Sequence, residues 1–223
     1  MTTAVILAAG KSERMGPGTD KAFLSLVNKP VVAWSLLAFE RCPEIDRIVL
    51  VVRKDQQLAA KAVASMFGIS KLDKIVAGGN KRQDSVQAGL AVCDMDTRYV
   101  VIHDGARPMV KSETIAEVIK MAKRVPAVAV GRRMTDTVKR VEKGITVAET
   151  LDREKLWSVQ TPQAFQMRAL RNAYKALDKN ATVTDDCQVV ELAGGEVKIF
   201  EDRKPNFKIT TVEDLQIAGA LLK

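Results

Sequence analysis

The sequence predicts an α/β fold: a mostly parallel twisted sheet with helices on both faces, Rossmann-like in pattern, with a protruding β-hairpin arm. Three observations carry this expectation. Short runs rich in Val and Ile alternate with amphipathic stretches along the 223 residues. The runs are almost continuous in apolar character, as strands covered on both faces are. The strand–helix order recurs several times in succession, which calls for parallel strands joined by helical crossovers.

Strands are expected over residues 4–8, 47–52, 74–76, 99–102 and 127–130, with a late one over 207–210. Helices are expected over 31–41, 56–67, 82–92, 113–124, 167–177, 186–192 and 212–222. Asn80 followed by Gln83 reads as a capping box opening the third helix, and Thr211 with Asp214 as a similar start for the last. The stretch 132–158 breaks the rhythm. Val138, Val141, Ile145 and Val147 surround Gly144 with charges between them, the pattern of an exposed β-hairpin turning near Lys143 and Gly144. Such a hairpin exposes strand edges unless something covers them, and pairing with a second subunit is one cover. A long surface loop is the alternative. A chain of this length fits one domain, 1–223, that includes the 132–158 arm as a dimerisation element.

Lys and Arg number 35 against 27 Asp and Glu, a formal net charge of +8. A basic surplus points to anionic partners, either nucleic acid or a phosphorylated small molecule. Aromatics are 4% and are not interleaved with a Lys/Arg tract, so a stacking platform for single strands lacks support and no nucleic-acid partner is expected. Cys42, Cys93 and Cys187 are odd in number and far apart, with no CxxC pair, which indicates neither a zinc knuckle nor a disulfide framework. The apolar run over 4–9 is too short to cross a membrane and lacks a basic lead-in. A cytoplasmic enzyme without a membrane partner is therefore expected.

The segment from Leu7 to Gly16 follows the first strand directly. Open parallel sheets bind ligands beyond the carboxyl ends of their strands. Small residues at Ala8, Ala9 and Gly10 let a ligand approach the backbone, and N–H groups there can hold phosphate oxygens. Arg14 and Lys21 add positive charge nearby. Two familiar phosphate loops do not complete. Gly10-Lys11-Ser12 resembles the end of a Walker A motif, but its earlier glycine would fall at Val5. A dinucleotide fingerprint begun by Gly16 and Gly18 would need its third glycine at Lys21.

Leu7-Ala8-Ala9-Gly10, then Arg14-Met15-Gly16, then Lys21, resembles the signature of nucleotidyltransferases that act on sugar phosphates. Further motifs follow in order: Gly78 to Val86 (GGNKRQDSV), His103 to Pro108 (HDGARP), Asp136 to Lys139 (DTVK) and Leu151 to Arg153 (LDR). Thr161-Pro162-Gln163, Thr184-Asp185-Asp186 and Asn206 to Thr210 (NFKIT) complete the set. Together they span nearly the whole chain and resemble the 2-C-methyl-D-erythritol 4-phosphate cytidylyltransferase family. Departures sit beside the phosphates: Ser12 stands where the family usually has a second glycine, and Asp20 and Ala22 where it has Pro and Gln.

The resemblance implies a nucleotidyltransferase fold and an activity, transfer of CMP from CTP to 2-C-methyl-D-erythritol 4-phosphate with release of pyrophosphate. It implies catalytic charges at Arg14, Lys21 and Lys208. It implies nucleotide contacts at Ala8, Ala9, Gly10, Gly79, Asn80, Arg82, Ser85, Asp104 and Gly105. Arg107, Thr137 and Arg153 would bind the methylerythritol phosphate, with hairpin residues contributed across a homodimer. Asp104 follows the apolar run 99–102 and so lies at the ligand rim. A carboxylate there can hold Mg²⁺, which favours oxygen ligands and substrate phosphates, or cap a turn. His103 is the single histidine, and the chemistry does not require it as a base. The acceptor phosphate has a second pKa near 6, so near neutral pH it is largely a dianion that attacks the α-phosphorus unaided. The protein then has to position the reactants and neutralise charge.

Three other readings make different demands. A ribitol-5-phosphate cytidylyltransferase would share the nucleotide site and differ in its acceptor contacts. A non-catalytic nucleotide-binding regulator would bind CTP without releasing pyrophosphate. A nucleic-acid module drawn by the basic surplus would bind DNA or RNA in a salt-sensitive manner.

Overall fold

The computed structural model describes residues 1–10, 15, 20–178 and 181–222. The elements run β1 (Thr2–Ala8), β2 (Ser25–Leu26), β3 (Lys29–Pro30), α1 (Val31–Glu40), β4 (Arg47–Val52), α2 (Gln57–Met66), β5 (Leu72–Ala77), α3 (Arg82–Ala91) and β6 (Tyr99–Asp104). They continue with α4 (Ser112–Ala122), β7 (Ala127–Arg133), β8 (Lys139–Lys143), β9 (Thr146–Thr150), β10 (Trp157–Gln166), α5 (Met167–Ala176), α6 (Asp186–Leu192), β11 (Val197–Glu201) and α7 (Val212–Leu221).

Seven strands form one sheet in the order β11-β7-β10-β6-β1-β4-β5. β1 is buried along its whole length, parallel to β4 on one side and β6 on the other. β10 is the exception to the parallel pattern, running antiparallel to both β6 and β7. The alternation of side chains along each strand divides the core in two. Ala4, Ile6, Ile48, Leu50 and Val101 face α1, α2 and α4, from which Leu36, Phe39, Ala60, Ile115 and Ile119 fill one layer. Val5, Leu7, Val49, Val51 and Ile102 face α3, α5 and α6, with Val86, Leu90, Leu170 and Val189 in the other. A third, smaller cluster joins Leu26, Val31, Met109, Ile209 and Ala218, and packs α7 beside the head of α1.

The helix starts follow side-chain chemistry. Thr211 and Asp214 form the expected capping box of α7. Asp185 caps α6 by accepting from the Gln188 N–H at 2.8 Å. The start of α3 differs from expectation. Lys81 holds the cap position, and its N–H donates to Asp84 at 2.9 Å. Gln83 is instead buried, and its amide ties α3 to Ala181 at 3.0 Å and Val183 at 3.3 Å.

β10 and β11 were not foreseen. The sequence of β10, WSVQTPQAFQ, has a proline at its middle, and proline argues against a central strand because it cannot donate to the ladder. The ladder with β7 accommodates Pro162 through an irregularity that skips from Gln160 to Gln163. Residues 207–210 form no strand; they run without a ladder and are tied by one backbone bond, Ile209 N–H to the Ala106 carbonyl at 2.8 Å.

The stretch 132–158 contains a two-stranded hairpin. β8 and β9 pair antiparallel around Gly144, whose φ of +61° suits glycine, and the residues of both strands are exposed. Its legs are the ends of β7 and β10, where Arg133 lies over the Trp157 ring at 4.5 Å. Val141, Ile145 and Val147 are exposed along it. All three cysteines are buried thiols. No helix among the described residues is long and apolar enough to cross a membrane.

Candidate active site

The carboxyl ends of β1, β4, β5 and β6 border a cavity of about 320 Å³. Its floor is the small-residue end of β1, Ala8, Ala9 and Gly10. Lys21, Gly79, Asn80, Arg82, Ser85, Asp104 and Lys208 complete the set of foreseen residues that line it. Gly78 is there for close packing: a Cβ on it would lie 2.4 Å from Ala9 Cβ and 2.7 Å from Ser85 Oγ, so β5 reaches β1 and α3 only without a side chain. The Ser85 hydroxyl accepts from the Gly79 N–H at 3.2 Å and pins that turn.

Asp104 is the last residue of β6 and is largely enclosed. Three cations converge on it, Lys208 and Arg82 from elsewhere in the chain and Arg107 from the turn that follows. Lys208 Nζ lies 2.9 Å from Oδ2, Arg82 Nε 3.4 Å from Oδ1, and Arg107 Nε 3.6 Å from Oδ2. Burial pushes its carboxyl up, but Lys208, then Arg82 and Arg107, overcome this and hold it well below the usual carboxylate range. Arg82 is paired as well with the buried Asp186 carboxylate at 2.8 Å, so three cations face two carboxylates and a positive surplus remains, suited to receiving phosphate oxygens.

Behind Asp104 lies a hydrogen-bond chain built on His103, which is fully buried. Its Nε2 meets the Arg107 carbonyl at 3.3 Å, and a carbonyl only accepts, so Nε2 carries the proton. Nδ1 then accepts from the Thr161 hydroxyl at 3.1 Å, and that oxygen accepts from the Asp104 N–H at 3.0 Å. Asn206 donates to the Thr161 carbonyl at 2.8 Å, and Arg107 Nη1 to the Asn206 carbonyl at 2.9 Å. His103 thus has a structural role and fixes the backbone that carries Asp104 and Arg107.

Some foreseen residues stand elsewhere. Arg14 lies outside the described residues. Gly105 is not in the lining; its N–H donates to the Leu7 carbonyl at 2.8 Å and locks β6 to the end of β1. Arg107 reaches Asp104 from behind, outside the lining. Thr137 and Arg153 lie in the roots of the arm, where Arg153 Nη1 donates to the Thr135 carbonyl at 2.7 Å. Neither reaches the cavity of its own chain.

Arg53, Lys54, Lys81 and Asp20 line the cavity and were not foreseen as site residues. The signal for Arg53 and Lys54 was present, since they follow β4 and so fall at the same rim as Gly10. Asp20 has a role of its own. One carboxylate oxygen accepts from the Ala22 N–H at 3.1 Å and caps the 3-10 turn Lys21–Phe23; the other lies 3.8 Å from Arg53 Nε. The departure from proline at this position therefore comes with a capped turn beneath Lys21, and Arg53 offsets part of its charge.

An open sheet whose strands end in a basic, glycine-lined cavity is a nucleotide-binding architecture. Solved structures give it a class: the 4-diphosphocytidyl-2C-methyl-D-erythritol synthase of Anaerococcus prevotii superposes with a TM-score of 0.88 at 31% identity, covering 99% of this chain and 95% of that one. The 2-C-methyl-D-erythritol 4-phosphate cytidylyltransferase of Thermus thermophilus gives 0.79 at 29%, covering 99% and 98%. Among curated relatives, the enzyme of that name from Dehalococcoides mccartyi strain 195 is 46% identical over 221 residues, 99% of this chain and 95% of its own. The model of the 2-C-methyl-D-erythritol 4-phosphate cytidylyltransferase family matches residues 2–223. The chain belongs to that family and is a cytidylyltransferase.

The single histidine makes its state directly measurable. An unfolded histidine takes a proton near pH 6.5, whereas burial pushes His103 down to about 3 in the folded chain. Its imidazole nitrogen resonances should report the Nε2–H tautomer and stay unchanged as pH falls from 8 to 5. Below about pH 6.5 the unfolded state binds a proton that folded His103 does not, so stability is full above that pH and falls as pH drops toward about 3. A titration midpoint near 6.5 in the folded protein would contradict the assignment.

Proposed function

We propose that this cavity is where the enzyme holds CTP and brings the acceptor phosphate to it. The family's reaction is the transfer of CMP from CTP to 2-C-methyl-D-erythritol 4-phosphate, giving 4-diphosphocytidyl-2-C-methyl-D-erythritol and pyrophosphate in isoprenoid precursor synthesis. An acceptor phosphate oxygen forms a bond to the α-phosphorus, and the bond from that phosphorus to the oxygen of departing pyrophosphate breaks. The observation that supports the placement is the carboxylate of Asp104 at the strand ends with three cations around it.

In this reading Ala8, Ala9, Gly10, Gly79, Asn80, Arg82 and Ser85 hold the nucleotide. Lys21 and Lys208, with Arg14, balance the charge that gathers on the phosphates during transfer. Among the described residues no group of three or more His, Cys, Asp or Glu is placed to hold a metal alone. Asp104 fits the manner in which Mg²⁺ is commonly bound, by one or two carboxylates plus substrate phosphates. When bound, the ion supplies further neutralisation of the phosphates.

The acceptor falls to Arg107, Thr137 and Arg153. Because Thr137 and Arg153 sit on an arm that does not reach its own cavity, the reading requires a second copy of the chain. The apolar residues exposed on the arm are the face such a homodimer would cover. One catalytic unit per chain, 1–223 with its arm, is the corresponding organisation.

Pyrophosphate release measured across four nucleoside triphosphates, with methylerythritol phosphate and ribitol 5-phosphate as acceptors, tests the substrate reading. CTP with methylerythritol phosphate should turn over fastest; comparable turnover with purine triphosphates, or with ribitol 5-phosphate, would refute it. Lys21→Ala tests the charge role. It should lower turnover by about 10²–10³ while calorimetric CTP affinity changes far less, and unchanged turnover would move that role to Lys208 and Arg14. For the arm, sedimentation should show a dimer at assay concentrations. Val141→Asp with Val147→Asp should yield a monomer of low activity, and a fully active monomer would disprove the shared site.

A further inference from the structure

Arg82 lines the cavity, but its strongest contact lies behind it. Nη1 donates to Asp186 Oδ2 at 2.8 Å, shorter than the 3.4 Å from Nε to Asp104. The Asp186 side chain is completely enclosed, at 0% exposure. A carboxylate without water is costly unless its oxygens are satisfied. Here they are: Oδ1 accepts from the Tyr174 hydroxyl at 2.6 Å and Oδ2 from Arg82, while the backbone N–H of Asp186 donates to Gln163 Oε1 at 3.2 Å. Gln163, itself buried, holds Asp185 at 2.8 Å with its amide. Four elements therefore meet at one residue, namely α3 through Arg82 and α5 through Tyr174 at the carboxylate, β10 through Gln163 at the backbone N–H, and α6 through Asp186 itself. Arg82 Nη2 is buried without a hydrogen-bond partner among the described residues.

A guanidinium with only Asp104 to hold it could turn its fork onto that carboxylate, in competition with Lys208 and Arg107. Binding nucleotide would then first require Arg82 to be freed and ordered. We propose that Asp186 is a positioning residue for nucleotide binding: anchored by Tyr174 and Gln163, it fixes the guanidinium of Arg82 at the cavity wall so that its fork does not close onto Asp104. This rests on the reading of Arg82 as a nucleotide residue. Asp186 touches no substrate, so its effect travels through Arg82 alone.

Steady-state kinetics on Arg82→Ala, Asp186→Asn and the double variant, with melting curves as folding controls, test the inference. Loss of a charge-assisted anchor corresponds to about a ten- to hundredfold effect, and Asp186→Asn should show it as a higher KM for CTP, with kcat nearly unchanged. On the Arg82→Ala background the same substitution should add almost nothing, because the side chain it positions is gone. Additive effects, or an unchanged KM in Asp186→Asn beside a raised KM in Arg82→Ala, would overturn the positioning role alone. An unchanged KM in Arg82→Ala would overturn the nucleotide reading of Arg82 and the inference with it. If Asp186→Asn does not fold, Tyr174→Phe removes one donor from the same carboxylate. It should raise the KM for CTP severalfold, and an unchanged KM in that variant would equally overturn the proposal.

Discussion

Asp104 is a carboxylate at the end of a buried strand, and its ionised state depends on partners that no single stretch of sequence supplies. Lys208 comes from the C-terminal segment, Arg82 from α3 and Arg107 from the turn after β6. Each of these is partly enclosed and would itself be costly without the carboxylate. The cluster is thus mutually dependent. It draws the segment 202–210 across the sheet, holds α3 against the end of β6, and gives the cavity its positive balance. The helix α7, docked through Ile209 and Ala218, stabilises the path that delivers Lys208.

The hydrogen-bond chain through His103 and Thr161 serves the same centre from the other side. It runs between β6 and β10, the one antiparallel strand of the large sheet, whose Gln163 pairs with Ile102. A parallel strand in that place would need a crossover of its own; the antiparallel strand instead carries the chain from the arm straight back through the sheet. The sheet, the arm and the backbone around Asp104 are in this way parts of one continuous piece of structure.

The parallel half of the fold was legible because its strands announce themselves. Val5 to Leu7, Ile48 to Val52 and Val100 to Ile102 are apolar on both faces, and the helices between them begin and end near the expected residues. The cavity was legible for a related reason, since a strand's end locates whatever follows it. The antiparallel half was not. β10 carries polar residues and Pro162, and its place in the sheet depends on a ladder irregularity visible only in three dimensions. The capping of α3 was misplaced by one residue because Asn80 and Gln83 matched the pattern, while the structure turns Gln83 inward to bind the 181–183 segment. Asp186 belonged to a motif quoted for its resemblance, but its partnership with Arg82 spans 104 residues and leaves no local trace.

The three thiols have a practical meaning. Cys42 and Cys93 are buried, and burial pushes both up to about 11; Cys187 is driven further in the same direction. Thiolate is the reactive form, so at neutral pH the chain presents almost none of it to an alkylating reagent or an oxidant. Burial and the raised thiols together favour slow reaction of the folded chain with maleimides. A cysteine introduced at the hairpin tip, in place of Ile145, which is exposed in the single chain, would then be the thiol whose reactivity reports whether a second copy covers the arm, without the three native positions being removed.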